Sequence, residues 1–298
     1  MKVINFGSLN VDHVYRVPHA VAEGETLACG SLQKLMGGKG LNQSIAIAKA
    51  GAKVIHGGLI GDEGQFLVDF LSESGVDVSK IGHTDEPQGH AIIQVNDNGN
   101  NCIIVFGGSN QCVTKEYIDD LLDETEEGDI VVLENEVSNI DYIMARAHEK
   151  KCPVVFNASP IDDKVVALDY SNVDWLIINE IEGAAIAKTD SIDDIIPEIT
   201  KRYPEISVVL TLGEEGSICY SKGQVYRQKA YKADVVDTTA AGDTFLGYFV
   251  AGLINGDDMQ TILKTASAAS SIAVSIMGAA ASVPTVDKVK EYLNNLGE

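Results

Sequence analysis

The sequence predicts an α/β fold in which helices cover both faces of a mostly parallel sheet. Short apolar runs rich in β-branched residues alternate with helical patterns along most of the chain. The runs lack the polar alternation of half-exposed strands, and such continuous apolar strands are typical of parallel sheets buried on both sides. Neither an all-β fold nor a ferredoxin-like fold fits this order of elements.

The first strand is predicted at residues 3–6, and a helix at 40–50, where apolar residues recur on one face and Gly51 follows as a C-terminal cap. Further buried strands, each expected to lead into a helix, are predicted at 54–59, 130–133, 153–156, 175–178 and 208–212.

The C-terminal third of the chain contains two further helical patterns. A strand-like pair at 235–236 leads into a helix predicted at 245–254. Residues 265–286 carry no charge, but they are rich in Ala, Ser and Gly, and Pro284 interrupts them. They therefore predict a tightly packed buried helix and not a membrane span.

Two segments depart from the alternation of strand and helix. Residues 11–35 are strand-like without a helix, and residues 88–106 have the pattern of a hairpin with a turn at 96–99. Together they predict a small β element at one edge of the main sheet. A lid over a binding site and simple decoration of the sheet edge explain it equally well. Because no repeat or linker divides the sequence, we expect residues 1–298 to form one domain.

Composition and charge restrict the classes of partner. The chain of 298 residues has 44 acidic and 22 basic side chains, a net charge of −22. Such a charge repels phosphates, which excludes nucleic acid and anionic membranes as partners. The five cysteines are scattered and odd in number, which is typical of a reducing compartment. The N-terminal residues form a strand pattern without the features of a signal peptide, so we expect a cytoplasmic protein.

The strongest local signal is the segment DTTAAGDTF at 237–245. Small residues at a helix start expose backbone N–H groups, which with the helix dipole form an anion site. Asp243 in this turn could simply cap the helix, or it could take a proton from a hydroxyl that attacks a bound phosphate. The combination of Ala-Ala-Gly with two acids favours the functional interpretation. Walker A, GxGxxG, HExxH and GxSxG motifs are absent from the sequence.

Two further motifs lie near the N-terminus. In GGKGLNQ at 37–43 the glycines permit close approach, and Lys39 and Asn42 offer donors at a helix start. Strand alternation after the first strand places Asn10 and Asp12 on the same side, where they could bind ligand hydroxyls. The alternatives are an ordinary loop for the first motif and an Asx turn for the second.

Taken together, the three motifs resemble the ribokinase/PfkB family of carbohydrate kinases. The resemblance rests on GSLNVDH at 7–13, GGKGLNQ at 37–43 and DTTAAGDTF at 237–245. Shorter matches follow in the expected order at 23–26, 108–110, 133–136, 179–182, 211–213 and 282–284. It implies the family's three-layer α/β/α fold, with the β element at 11–35 and 88–106 as a lid.

The resemblance also implies roles for individual residues. Asp243 would be the catalytic base, and the N–H groups of Ala240, Ala241 and Gly242 would form the anion hole for the transferring phosphoryl group. The sugar would lie against Asn10, Asp12, Gly38, Lys39, Asn42, Glu136 and Asp243. ATP would lie against Asn179, Thr211, Gly213, Gly216 and Gly242. Asn157 matches an asparagine at the end of another strand.

Two metal ions follow from the same resemblance. Magnesium would be arranged indirectly by Glu182 in the family's NxxE motif, and carboxylate and amide oxygens with retained waters suit this ion. Potassium as an activator would lie near Asp237, the Thr239 carbonyl, the carbonyls of 275–278 and Ser282. The alternative for Asp237 and Ser282 is a buried turn.

The implied reaction is transfer of the γ-phosphoryl group of ATP to the primary hydroxyl of a neutral sugar, with D-ribose giving ribose 5-phosphate as the first choice. None of the four arginines lies in a matched substrate motif, which argues against a phosphorylated sugar. Fructokinase or nucleoside kinase activity is the alternative within the family, although we expect no aromatic cluster in the lid that could stack a base. A non-catalytic sugar- or nucleotide-binding regulator is the alternative from another class.

Two further points concern the lid. Members of the family often carry Thr-Gly at the base of the lid hairpin, whereas this chain has Gln88-Gly89-His90, a change that bears on sugar selectivity. The resemblance also implies a homodimer formed through the lid strands, because an exposed sheet edge tends to be paired or covered.

Overall fold

The structure, a computed structural model, describes residues 1–297. In this range it has 13 strands: β1 (Val3–Phe6), β2 (Asn10–Arg16), β3 (Ser31–Gly37), β4 (Val54–Ile60), β5 (Ile81–His83), β6 (His90–Val95), β7 (Asn101–Phe106), β8 (Ile130–Glu134), β9 (Val154–Asn157), β10 (Trp175–Asn179), β11 (Ser207–Thr211), β12 (Ser217–Ser221) and β13 (Gln224–Gln228).

The helices of residues 1–297 are α1 (Lys39–Lys49), α2 (Gln65–Glu73), α3 (Lys115–Leu122), α4 (Ile140–Glu149), α5 (Asp163–Ala167), α6 (Glu180–Ala187), α7 (Ile192–Arg202), α8 (Ala241–Asn255), α9 (Met259–Ala273), α10 (Ala279–Ser282) and α11 (Val286–Asn295). None of these helices is both long enough and apolar enough to span a bilayer.

The large sheet confirms the predicted α/β class. Its strand order within the described residues is β13-β12-β11-β10-β9-β8-β1-β4-β5, and its ladders are parallel except those of β12 and β13. Side chains of successive strand residues enter two separate apolar clusters, one on each face. Val3 belongs to the cluster that contains α1, α8 and α9 residues, and Ile4 belongs to the cluster that contains α3, α4 and α7 residues. Burial on both faces explains why the strands are continuously apolar.

The prediction of a helix after the strand at 208–212 is wrong. β11 leads through a short 3₁₀ turn at Gly213–Glu215 into the antiparallel hairpin β12-β13. Gly213 and Gly216 have φ angles of 54° and 105°, and these left-handed conformations reverse the chain at once. The turn brings both glycines to the end of β11.

The segment around residues 235–286 also differs from the prediction. Val235 and Val236 are 65% and 53% exposed and lie outside any strand. Residues 265–286 form no single helix, because α9 ends at Ala273 and α10 begins only at Ala279. The N–H groups of Val236 and Asp237 donate to the Val274 carbonyl at 2.8 and 3.1 Å, so the segment before α8 lies against the turn that follows α9.

A second sheet is formed by the two segments that departed from the strand–helix alternation. Its order is β3-β2-β6-β7, with β6 and β7 joined as a hairpin. We call these four strands the lid sheet. One of its faces carries Asp12, Ala91, Ile93 and Val105, which line a cavity above the large sheet. Alternation places the neighbouring side chains of each strand on the other face.

On that other face three rings of the lid sheet pack together. The ring of His90 lies 5.8 Å from that of His13 and 5.1 Å from that of Phe106. No local sequence pattern indicated this cluster of two histidines and one phenylalanine. Because the cluster lies on the face opposite the cavity, it is not placed to stack a ligand base there.

Candidate active site

Two adjoining cavities lie where the carboxyl ends of the parallel strands meet the starts of α1 and α8. The smaller cavity, of about 440 Å³, lies beneath the lid sheet, and the larger, of about 750 Å³, lies beside β11, α8 and α9. Thr211, Thr238, Ala241 and Gly242 line both cavities. The start of α8 therefore forms the boundary across which two ligands could react.

The residues predicted to hold the sugar all line the smaller cavity. They are Asn10, Asp12, Gly38, Lys39, Asn42, Glu136 and Asp243. Of the residues predicted for ATP, Gly213 and Gly216 line the larger cavity, Asn179 lines the smaller one, and Thr211 and Gly242 line both. Asn157 and Glu182 also line the smaller cavity. The structure thus gathers residues from across the chain around one pair of spaces.

Close backbone contact brings the two N-terminal motifs together. A Cβ atom on Gly40 would lie 2.3 Å from the Cα of Gly7, so neither position accepts a side chain without movement. Gly38 has a φ of 102°, and the Leu41 N–H donates to the Ser8 carbonyl at 3.0 Å. The start of α1 is therefore fixed against the connection between β1 and β2, which directs both motifs into the smaller cavity.

Asp243 lies buried in the first turn of α8. Asn42 Nδ2 donates to its Oδ2 at 3.1 Å, and Gln43 Nε2 donates to its Oδ1 at 3.0 Å. Ala240 occupies the N-cap position with a φ of 62°, and no side chain among the described residues 1–297 caps α8. Asp243 is therefore not a helix cap, because its carboxylate is held by side chains of α1 at the border of the two cavities.

The start of α8 offers backbone donors at the same border. The Ala241 N–H already donates to the Thr238 carbonyl at 3.2 Å. Within residues 1–297 the N–H groups of Gly242 and Asp243 have no backbone acceptor. Apart from the adjacent residues and the backbone of α8 itself, no atom of residues 1–297 lies within 4 Å of the Cβ position of Gly242, so that side of the turn is open. Free N–H groups at the positive end of a helix form a site for an anionic group such as a phosphate.

A buried carboxyl group supports two of the residues that were predicted to hold the sugar. Glu134 at the end of β8 accepts a hydrogen bond from the Ser8 N–H at 2.6 Å and another from the Glu136 N–H. Burial and the nearby charge of Glu136 raise the pKa of Glu134. The Ser8 hydroxyl donates to Glu136, and Asn10 Nδ2 donates to Glu136 Oε2 at 3.3 Å. Glu134 therefore fixes the backbone that presents Glu136 and Asn10.

The charges of the smaller cavity are strongly unbalanced. Lys39 is the only cation among its lining residues, which include Asp12, Glu136, Glu182 and Asp243. Burial opposes the charge of Lys39, but attraction by Asp243 and the nearby glutamates outweighs burial and raises the pKa of this lysine. Burial and, secondly, Glu136 raise the pKa of Asp12 to about 7. The cavity thus offers many hydroxyl acceptors and one permanent cation.

Asn179 and Glu182 form a reciprocal cap at the start of α6. Asn179 Oδ1 accepts from the Glu182 N–H, and Glu182 Oε2 accepts from the Asn179 N–H, each at 2.9 Å. This capping box fixes the Glu182 carboxylate at the wall of the smaller cavity. Its remaining lone pairs could bind the water shell of a magnesium ion.

The predicted potassium ligands belong to two loops that Asp237 joins and, in the case of Ser282, to the end of α10. Its Oδ1 accepts from the Thr239 N–H at 2.9 Å, and its Oδ2 accepts from the Gly278 N–H at 3.0 Å. Burial acts to raise the pKa of Asp237, but these hydrogen bonds prevail and lower it. The hydroxyl of Ser282 donates to the Ala279 carbonyl at 2.7 Å. An ionised carboxylate beside loop carbonyls is an oxygen donor set that fits a hard cation.

Several contacting residues were not among the predicted site residues. Gln43 contacts Asp243, Asn110 Nδ2 donates to Asn10 Oδ1 at 2.7 Å, and Gln88 Nε2 donates to the Leu9 carbonyl at 2.5 Å. These are buried amides whose neighbours in space are distant in sequence. The only sequence signal for Gln43 is its position beside Asn42 in the same motif.

Comparisons with known proteins agree with this geometry. Residues 1–286 match the model of the pfkB family carbohydrate kinases. A ribokinase of Staphylococcus aureus is 34% identical over 97% of this chain and 99% of its own. A ribokinase structure from Cryptococcus neoformans in complex with ADP has a TM-score of 0.84 and 32% identity, covering 97% of this chain and 99% of that one.

A ribokinase structure from Arabidopsis thaliana, complexed with ribose and ATP, has a TM-score of 0.84 and 27% identity, covering 98% of each chain. The family match spans both cavities and all three sequence motifs. The chain therefore belongs to the pfkB family of carbohydrate kinases.

Proposed function

We propose that the protein is an ATP-dependent kinase that phosphorylates the primary hydroxyl of D-ribose to give ribose 5-phosphate. The observation that carries this proposal is the position of Asp243, held by Asn42 and Gln43 where a polar cavity meets a larger second cavity. The ribokinase relatives, one of them complexed with ribose and ATP, support the choice of sugar and nucleotide.

The sugar lies in the smaller cavity. Asn10 and Asp12 on β2 form hydrogen bonds with its hydroxyls from the lid side, Glu136 does so from the end of β8, and Asn42 does so from α1. Asp243 takes the proton of the primary hydroxyl as that oxygen attacks the γ-phosphorus. Catalysis of this kind depends on positioning and on electrostatic stabilisation more than on covalent chemistry.

ATP lies in the larger cavity, with its γ-phosphate at the start of α8. The cavity walls include Tyr231, Val235 and Phe245, which suit the adenine base, and Gly213 and Gly216, which allow close approach of the backbone. The open N–H groups of Gly242 and Asp243 stabilise charge that develops on the transferring group. Lys39 contributes the cation on the sugar side.

Two metal ions belong to this proposal. The Glu182 carboxylate, held by Asn179, would bind the water shell of a magnesium ion, which would neutralise phosphate charge when bound with ATP. Asp237 with the carbonyls of Thr239 and of residues 275–278 holds potassium. By joining the loop before α8 to the loop before α10, Asp237 keeps the anion site at the start of α8 in place.

The lid sheet closes over the smaller cavity as part of a single domain. It also forms the interface of a homodimer. Its edge strand β7 presents Ile103, Ile104, Val105 and Phe106, which are 53%, 63%, 54% and 46% exposed. An unpaired edge with four consecutive exposed apolar residues favours pairing with a second copy. Sedimentation analysis tests the interface, because Ile104→Lys should convert the dimer to monomer.

The cysteines are consistent with a cytoplasmic location, which we also propose. All five are free thiols in the structure, and Cys29 and Cys102 are exposed. Exposed unpaired thiols are typical of a reducing compartment.

ADP release with Mg-ATP and potassium, measured across ribose, deoxyribose, fructose, nucleosides and sugar phosphates, tests the proposed function. Ribose should give the highest kcat/KM by a wide margin. A higher kcat/KM for another neutral sugar would contradict ribose as the substrate. Gln88 and His90 at the base of the lid would then be the residues to substitute in order to explain the sugar selectivity. Binding of sugar and ATP without any turnover would contradict the proposed kinase activity and would favour a non-catalytic regulator.

A further inference from the structure

The two oxygens of the Asp243 carboxylate lie in different surroundings. Gln43, which donates to Oδ1 at 3.0 Å, is fully buried and lines neither cavity. Asn42, which donates to Oδ2 at 3.1 Å, belongs to the wall of the smaller cavity. Oδ1 therefore faces the packed interior between α1 and α8, and Oδ2 lies on the side of the proposed sugar.

Packing alone does not account for an amide at position 43. The Gln43 Oε1 atom is buried and has no hydrogen-bond partner among residues 1–297. A buried amide oxygen without a partner destabilises a fold, and methionine would fill a similar volume without that penalty. Reversing the amide would place Oε1, which can only accept, against the carboxylate oxygen Oδ1 of Asp243. The contact with Asp243 is thus the one interaction that this side chain gains from being an amide.

We propose that Gln43 is a positioning residue for phosphoryl transfer, which keeps Oδ1 of Asp243 as an acceptor so that Oδ2 takes the proton of the sugar. This inference rests on the proposed function. In the step, the O–H bond of the sugar breaks and its proton passes to Oδ2, while the hydroxyl oxygen bonds to the γ-phosphorus. The bond from that phosphorus to the bridging oxygen breaks, and the electron pair leaves with ADP.

Other charged groups line the same cavity as Asp243: Asp12 on β2, Lys39 on α1, Glu136 after β8 and Glu182 on α6. Lys39 interacts electrostatically with Asp243, with these glutamates and with the buried Glu134 at the end of β8. Helix α9, which packs along α8, contributes the hydroxyl side chains of Ser267, Ser270 and Ser271 to the wall of the larger cavity, and no charged group. All of these stay unchanged when only Gln43 is substituted. A change in pH dependence in such a variant therefore reports the lost donor.

The test compares the wild-type enzyme with Gln43→Met. Loss of a hydrogen-bond donor to the charged form of Asp243 favours its protonation. The acid limb of the pH profile of kcat should therefore move to higher pH by about 0.5–1 pH unit. We expect kcat at neutral pH to fall about 10- to 100-fold, with the KM for the sugar within about threefold of the wild type. An acid limb in its original place, or a kcat near that of the wild type, would overturn the proposal.

Ser44→Ala is the matched control on the same helix. Ser44 is also buried, but its hydroxyl accepts from Asn5 Nδ2 and contacts His56 Nδ1, each at 2.8 Å, and not Asp243. This variant should lower the melting temperature and leave the acid limb where it is. If it shifts the limb as Gln43→Met does, the effect comes from a loosened α1 and Gln43 has no specific role.

A measurement without substrate separates this proposal from the assignment of the sugar. Infrared titration of the sugar-free enzyme should show a carboxylate band that Asp243→Asn removes, and the midpoint of that band should move to higher pH in Gln43→Met. If the wild type fails to phosphorylate ribose, this shift still tests whether Gln43 stabilises the Asp243 carboxylate. An unmoved midpoint contradicts the role of Gln43 even when ribose is the substrate.

Discussion

Gly7 and Gly40 pack backbone against backbone, so that a Cβ atom on Gly40 would lie 2.3 Å from the Cα of Gly7. The contact joins the end of β1 to the first turn of α1. Because Asn10 and Asp12 follow Gly7 while Asn42 and Gln43 follow Gly40, this one crossing sets the distance between the sugar-side residues and the residues that hold Asp243. Stability and activity therefore both depend on it.

Replacement of Gly40 by alanine should destabilise the protein. The added Cβ meets backbone atoms of Gly7 and Ser8, which cannot rotate away as a side chain could. We expect a loss of at least about 2–3 kcal/mol in the free energy of unfolding, measured in urea. The control is Gly242→Ala, where the added Cβ meets no atom of residues 1–297 within 4 Å other than those of the adjacent residues and the backbone of α8. Equal stability of the two variants would contradict the steric argument.

Replacement of Asp243 by asparagine should leave the fold and sugar binding in place and remove most turnover. Asparagine keeps the size of the side chain but accepts no proton at neutral pH. Because general-base catalysis contributes about 10²–10⁴-fold, kcat for ADP release should fall by that factor. Calorimetry should show a sugar Kd close to that of the wild type. A kcat within tenfold of the wild type would exclude Asp243 as the base.

The large sheet was predictable because its strands are buried on both faces. Continuous apolar runs identify such strands, and the strands predicted at 130–133 and 175–178 match β8 and β10 to within one residue. The hairpin β12-β13 was missed, because the apolar strand β11 resembles the others and only Gly213 and Gly216 mark the reversal. Likewise, the uncharged composition of 265–286 does not reveal the turn that Asp237 stabilises through Gly278.

Local motifs indicated many residues around the cavities, but not the contacts among them. Lys39 and Asn42 could be selected because they stand at the start of a helix behind glycines. The pairing of Gln43 with Asp243 joins α1 to α8, and no local pattern encodes that packing. The ring contact of His13, His90 and Phe106 was missed for the same reason, since it depends on the register of β2, β6 and β7.

The protonation of Asp12 should make stability depend on pH. Burial and Glu136 raise its pKa to about 7 from an ordinary value of 3.8, so between these pH values the folded protein holds a proton that the unfolded chain has released. The contribution of Asp12 to stability is therefore greatest at low pH and falls as pH rises through this window. In Asp12→Asn this dependence disappears.

Urea unfolding of Asp12→Asn and the wild type at pH 5 and 8 measures the effect. The free energy of unfolding of the variant, relative to the wild type, should increase by roughly 2–3 kcal/mol between these pH values. Asp62 is exposed, so Asp62→Asn should follow the wild type at both. Parallel behaviour of wild type and Asp12→Asn would show that Asp12 titrates alike in the folded and unfolded chains.

The proposed potassium site predicts that substitution of Asp237 abolishes any stimulation by potassium. Both carboxylate oxygens accept backbone N–H groups, from Thr239 and from Gly278, so the amide of Asp237→Asn supplies only one acceptor and no charge for the cation. The measurement is the ratio of kcat in potassium chloride to kcat in tetramethylammonium chloride at constant ionic strength. In Asp237→Asn this ratio should fall to about one. Asp234 is an exposed neighbour, and Asp234→Asn should keep the wild-type ratio. A wild-type ratio in Asp237→Asn would place the cation elsewhere and leave Asp237 as the link between the two loops.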